Sequence, residues 1–134
     1  MQGKLEDYII QNSHVIAVVG LSPNPDRPSN EVGRHMQENG FRVIPVNPTA
    51  KEILGEVCYP DLTAIPEKVD VVDIFRRSED VPPIVEQAIK IGAKSVWMQE
   101  GVINEDAALR ARQAGLNVVM DSCIWKEYRR LRGI

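Results

Sequence analysis

This 134-residue chain is sparing with the residues that most often signal chemistry. It has two cysteines, Cys58 and Cys123, far apart and without C-x-x-C spacing. That argues against a disulfide framework or a zinc knuckle, and for free thiols in a reducing compartment. Its two histidines, His14 and His35, do not stand at metal-ligand spacing with a cysteine or with each other. There is no excess of basic charge. Sixteen Lys and Arg against nineteen Asp and Glu leave a net charge of −3, the wrong sign for a non-specific nucleic-acid binder. There is no long apolar run either. The run Val15-Ile16-Ala17-Val18-Val19 is far too short to span a bilayer. The first ten residues contain Glu6 and Asp7 and no signal-peptide core. A cytoplasmic protein that contacts neither membrane nor nucleic acid is expected. No repeat or low-complexity segment is visible.

What remains is an ordinary globular composition, 43% apolar and 26% charged. The length suits one domain over residues 1–134. Apolar β-branched runs at 15–19, 42–46, 69–75, 95–98 and 117–120 read as strands. Pro45 lacks a ladder donor and belongs near the end of its strand. Val81, Ile84, Val85, Ala88 and Ile89 recur every three and four residues, which predicts a helix with one apolar face. Asn104 suits the cap of another helix, with Glu105 and Asp106 in its first turn. Ser29 or Asn30 suits the cap of an earlier one, running to about Asn39. A short helix is expected over 4–11 and a closing one over 124–131. Gly40, Gly92 and Gly115 each follow a helical stretch and precede a strand, as glycine does at the left-handed end of a helix. Repeated strand–helix–Gly–strand units predict parallel strands with right-handed crossovers. The expected fold is therefore α/β: a three-layer, doubly wound, Rossmann-like domain on a five-stranded parallel sheet, in strand order 3-2-1-4-5.

Such folds bind ligands beyond the carboxyl ends of the strands, so the residues after each strand carry the functional reading. The first loop offers Gly20 for close backbone approach, Ser22 and Ser29 as hydroxyl donors, and a helix N-terminus near Ser29 and Asn30. Arg27, Arg76 and Arg77 can add charge-assisted hydrogen bonds to phosphate. The dinucleotide fingerprint G-x-G-x-x-G fails, because Ser22 and Pro25 stand where the second and third glycines belong. Asn47-Pro48 replaces the acid that would grip an adenosine ribose. No P-loop occurs. The longer loop braced by Pro23, Pro25 and Pro28 leaves room for a bulkier phosphate compound than NAD.

Together the segments VVGLSPNPDRPSNEVG, RVIPVNP, VDVVDIFRR, VWMQEGVIN and NVVMDSC resemble the small stand-alone CoA-binding proteins. Those are single Rossmann-like domains similar to the N-terminal CoA-binding domain of the succinyl-CoA ligase alpha subunit. The resemblance runs from about Asp7 to Leu131 and implies that the ligand is coenzyme A or an acyl-CoA. By motif position, Gly20, Leu21 and Ser22 with Arg27, Pro28, Ser29 and Asn30 would hold the pyrophosphate end. Val46, Asn47 and Pro48 would border the adenosine. Phe75, Arg76 and Arg77 would close over the nucleotide, and Met98 and Gln99 would lie along the pantetheine arm. The ligase's phosphorylated histidine belongs to a second domain that this chain lacks, so ligase activity is not implied. Glu100 departs from the pattern by placing a negative charge beside an anionic ligand.

No catalytic or metal-binding constellation stands out. His14 precedes the first strand and His35 sits in mid-helix, outside the strand-end loops. Cys123 follows the fifth strand without a histidine placed to help it, and reads as a small buried thiol. Asp70 and Asp73, three apart on a strand, fall on opposite faces. Trp125, Tyr128 and Leu131 read as the packed face of the closing helix. Binding of coenzyme A without catalysis is the expectation. The alternatives are an enzyme using NAD(P) or an acyl-CoA, and a regulatory module whose protein partner responds to coenzyme A. On this reading, Arg76→Ala or Gly20→Val weakens binding and leaves the fold intact.

Overall fold

A computed structural model describes residues 3–134. In chain order the elements are α1 (Lys4–Gln11), β1 (Val15–Val19), α2 (Pro28–Glu38) and β2 (Arg42–Val46), then a small antiparallel ribbon of β3 (Glu52–Ile53) and β4 (Glu56–Val57). There follow β5 (Val71–Ile74), α3 (Val81–Lys90), β6 (Ser95–Met98), α4 (Glu105–Gln113), β7 (Asn117–Val119) and α5 (Ile124–Arg132). Single 3-10 turns stand at Leu62–Ala64 and Ser78–Asp80. No helix among the described residues is long and apolar enough to cross a membrane.

The five longer strands form one parallel sheet in the order β2-β1-β5-β6-β7. Helices cover both faces. On one, Val81, Val85 and Ala88 of α3 and Ala107, Ala108 and Ala111 of α4 pack on Val72, Ile74 and Val96. On the other, Ile9 and Ile10 of α1, Val32 and Met36 of α2 and Ile124 and Tyr128 of α5 pack on Ile16, Val18, Val71 and Trp97. This is the expected three-layer, Rossmann-like architecture. Trp125 and Leu131 pack partly buried against the second cluster beside Tyr128, as their spacing suggests.

The strand order depends on one short contact. Tyr59 pairs in parallel with Val46, outside β2: the N–H of Tyr59 donates to the carbonyl of Pro45, and that of Asn47 to the carbonyl of Tyr59. With this bridge counted as the third strand, the sheet reads 3-2-1-4-5-6, the expected order with β7 added at its far edge. Counted alone, the five longer strands read 2-1-3-4-5, and Val71–Ile74 lies beside β1. Pro60 ends the pairing at Tyr59, which keeps that edge rudimentary. Pro45 turns its donor-free nitrogen away from β1 and toward this edge, so it costs β2 no bond to the central sheet.

The glycine junctions behave as expected. Gly40, Gly92 and Gly115 have φ of +94°, +74° and +91°, the left-handed conformation that ends a helix cheaply. Asn104 caps α4, its side chain accepting the N–H of Ala107 at 2.9 Å. β5 begins two residues later than the apolar run suggests because Asp70 has another task. Its carboxylate accepts the N–H groups of His14 and Val15, each at 2.9 Å, and lies 3.3 Å from Nζ of Lys94. Burial raises its pKa, but these partners outweigh that and hold it below the ordinary value. Asp73 sits inside β5 between Val18 and Trp97, fully buried, and neither carboxylate oxygen has a partner.

Candidate functional site

The loop after β1 turns on Gly20, whose φ is +87°. Its N–H donates across the sheet to the carbonyl of Val46 at 2.9 Å. A β-carbon at this position would stand 2.2 Å from the carbonyl oxygen of Phe75, inside any allowed contact. The glycine is therefore required by the packing of β1 against β5, before any ligand is considered. This corrects the expectation that Gly20→Val spares the fold.

Beyond Gly20 the chain is clamped by the first turn of α2. The N–H of Ser22 donates to Oγ of Ser29 at 2.9 Å, and Nδ2 of Asn30 donates to the carbonyl of Ser22 at 2.9 Å. Ser29 and Asn30 are buried. The sequence suggests one of them as the N-cap. In the structure Arg27 holds that position with Pro28 next, and no side chain caps the helix. Proline at the first helical position, with its φ preset, moves the helix start upstream and releases Ser29 and Asn30 to bind the loop. The first turn of α2 is left without a side-chain cap, the arrangement that attracts anions.

The loops after β1, β5, β6 and β7 enclose an open cleft of about 930 Å³ at the carboxyl edge of the sheet. Gly20, Ser22, Arg27, Pro28, Ser29 and Val32 form one side. Phe75, Arg76, Arg77 and Asp80 form the centre, and Gln99, Glu100, Val102 and Cys123 the other side. Arg77 is paired with Asp80 at 3.1 Å, which raises its pKa. The side chains of Arg27 and Arg76 are exposed and have no ion-pair or hydrogen-bond partner among the described residues. Across the cleft, Nζ of Lys126 lies 2.9 and 3.1 Å from the two carboxylate oxygens of Glu100, and this pairing raises the lysine's pKa. Gln99 is buried, and its Oε1 accepts the N–H of Ile124 at 3.2 Å, tying β6 to the start of α5.

Of the residues singled out by sequence, Gly20, Ser22, Arg27, Pro28, Ser29, Phe75, Arg76, Arg77 and Gln99 line this cleft. Leu21, Asn30, Val46, Asn47, Pro48 and Met98 do not. Leu21, Val46 and Met98 are core residues. Asn30 and Asn47 stand behind the loop: Nδ2 of Asn47 donates to the carbonyl of Leu21 at 3.0 Å, and its Oδ1 accepts from Thr49 at 2.8 Å. Pro48 is exposed outside the cleft. Five wall residues, Val32, Asp80, Glu100, Val102 and Cys123, were not assigned to the site from sequence. Glu100 and Cys123 were legible as strand-end residues. Val32 and Asp80 reach the cleft through the turn of α2 and the 3-10 turn after β5, which periodicity does not show. His14 lies in the loop before β1, and His35 stacks on Trp125 with ring centroids 4.4 Å apart, away from the cleft.

Comparison with known proteins bears on this arrangement. A family model described as a CoA binding domain matches residues 14–129. The chain belongs to the CoA binding domain family. The uncharacterized protein YneT of Bacillus subtilis is 44% identical over 116 residues, covering 87% of this chain and 86% of YneT. A hypothetical protein from Pyrococcus horikoshii has the same fold, with a TM-score of 0.95 and 41% identity over 99% of this chain and 94% of that one. The acetate–CoA ligase (ADP-forming) I of Archaeoglobus fulgidus is 29% identical over 120 residues, covering 82% of this chain but only 18% of the ligase. The chain thus matches both small proteins over most of their length and a segment of a much longer ligase.

Proposed function

We propose that this protein acts in the cytoplasm as a single domain over residues 1–134, binding coenzyme A or an acyl-CoA in the cleft without catalysis. One observation carries the site: Arg27 and Arg76, both without partners, face one cleft beside the uncapped first turn of α2. Two free guanidiniums and a helix N-terminus form an anion receptor suited to a pyrophosphate. Gly20 and Ser22 let the ligand run close to the backbone. The arm of the ligand then crosses Phe75 toward Gln99, Val102 and Cys123. Membership of the CoA binding domain family selects coenzyme A among compounds carrying a pyrophosphate. Among the described residues lining the cleft, the two carboxylates, Asp80 and Glu100, are each paired with a basic side chain.

Thermal unfolding with coenzyme A, acetyl-CoA, NAD⁺, NADP⁺ or ATP tests the ligand class. At one hundred times its dissociation constant a ligand adds about 2.7 kcal/mol, which raises the midpoint by about 10 °C for a chain of this size. Shifts confined to the CoA compounds support the proposal. A shift with NAD⁺ or NADP⁺ alone overturns it.

A further inference from the structure

The cleft is electrically asymmetric, and the asymmetry follows the sheet. The arginines with unpartnered side chains, Arg27 at the start of α2 after the β1 loop and Arg76 just beyond β5, stand on one side, while Glu100 follows β6, nearer β7. With the phosphates at the arginine side, the thiol or acyl end of the ligand arrives at Val102, Cys123 and Glu100. Val102 and Cys123 are small and largely buried, and Glu100 is the one carboxylate at that end of the cleft wall. Lys126 binds both oxygens of Glu100, so its own charge is already committed. Both side chains are more than half exposed.

We infer that the Glu100–Lys126 pair sets ligand choice at the acyl end, admitting free coenzyme A and small neutral acyl groups and disfavouring acyl groups that carry a carboxylate. This rests on the CoA reading of the cleft. A second carboxylate entering beside Glu100 meets a like charge, and Lys126, the cation paired with Glu100, is already engaged. If Glu100 loses its charge, Lys126 is released and becomes a partner for that carboxylate. If Lys126 is removed, Glu100 stands unpaired and the repulsion grows. Exposure and salt screening keep the effect modest, about threefold in affinity for each change.

Acetyl-CoA and malonyl-CoA differ by one carboxylate and serve as probes. Titration calorimetry of the wild type, Glu100→Gln and Lys126→Ala with both compounds gives an acetyl-to-malonyl affinity ratio for each protein. The expected ratio is largest for Lys126→Ala, above one for the wild type, and smallest for Glu100→Gln. Any other order, or equal ratios, overturns the inference. If the wild type binds coenzyme A but does not discriminate, the inference alone falls. If it binds neither coenzyme A nor either acyl-CoA, the CoA reading falls with it.

Discussion

A β-carbon on residue 20 would stand 2.2 Å from the carbonyl oxygen of Phe75, so Gly20 and Phe75 fix how closely the ends of β1 and β5 approach. The same two residues form part of the cleft wall. Gly20→Ala must therefore separate the two strand ends and also hold an L-residue at φ +87°. The expected cost is on the order of 2–3 kcal/mol, read as a lower urea midpoint. An unchanged midpoint would show that the β1–β5 junction yields freely.

Much of this was legible in the sequence because it depends on local rules. A continuous β-branched run is buried on both faces wherever parallel strands are covered by helices, and β1, β2 and β6 match their runs residue for residue. Gly40, Gly92 and Gly115 marked the helix ends because only glycine takes those angles cheaply. The outward turn of individual side chains was less legible. Met98 and Gln99 are neighbours, yet one fills the core and the other lines the cleft, because β6 ends at Met98 and Gln99 lies just beyond it at the carboxyl edge. Asn30 and Asn47 look like ligand contacts by motif, but their amides are spent on the carbonyls of Ser22 and Leu21. Those bonds join residues that only tertiary structure brings together. The Tyr59 bridge was missed for a similar reason: a single pairing leaves no periodic trace.

Asp73 makes stability depend on pH in the opposite sense from a paired carboxylate. Burial pushes its carboxyl well above the ordinary range. The unfolded chain releases this proton near pH 3.9, while the folded chain keeps it. Stability is therefore lost as pH rises above about 4, by roughly 1.4 kcal/mol per pH unit, until the folded carboxyl also ionises. Asp73→Asn has no such loss. The stability of the variant relative to the wild type should grow with pH across that window. A difference that is flat in pH would show that Asp73 finds a partner in solution. Asp70 titrates the other way, its contribution fading as pH falls through its lowered folded value, and it cancels in this comparison.

Cys123 and Cys58 give an internal footprint. Both are buried free thiols, but only Cys123 lines the cleft. Desolvation also raises the Cys58 pKa, which slows its reaction with alkylating agents. Saturating coenzyme A should slow iodoacetamide labelling of Cys123 and leave that of Cys58 unchanged, as read by peptide mass spectrometry. Equal protection of both would indicate global tightening in place of a ligand lying against Cys123.

Whether coenzyme A binds in this cleft through the two free arginines is decided by calorimetric titration of the wild type and of the Arg27→Ala/Arg76→Ala double variant. Both residues are exposed, so the variant should keep its fold and melting midpoint. Charge-assisted contacts to phosphate contribute about 1.5 kcal/mol or more each. One site is expected in the wild type and at least about a hundredfold weaker binding in the double variant. Equal affinity in the two proteins would place the ligand elsewhere and overturn the proposed site.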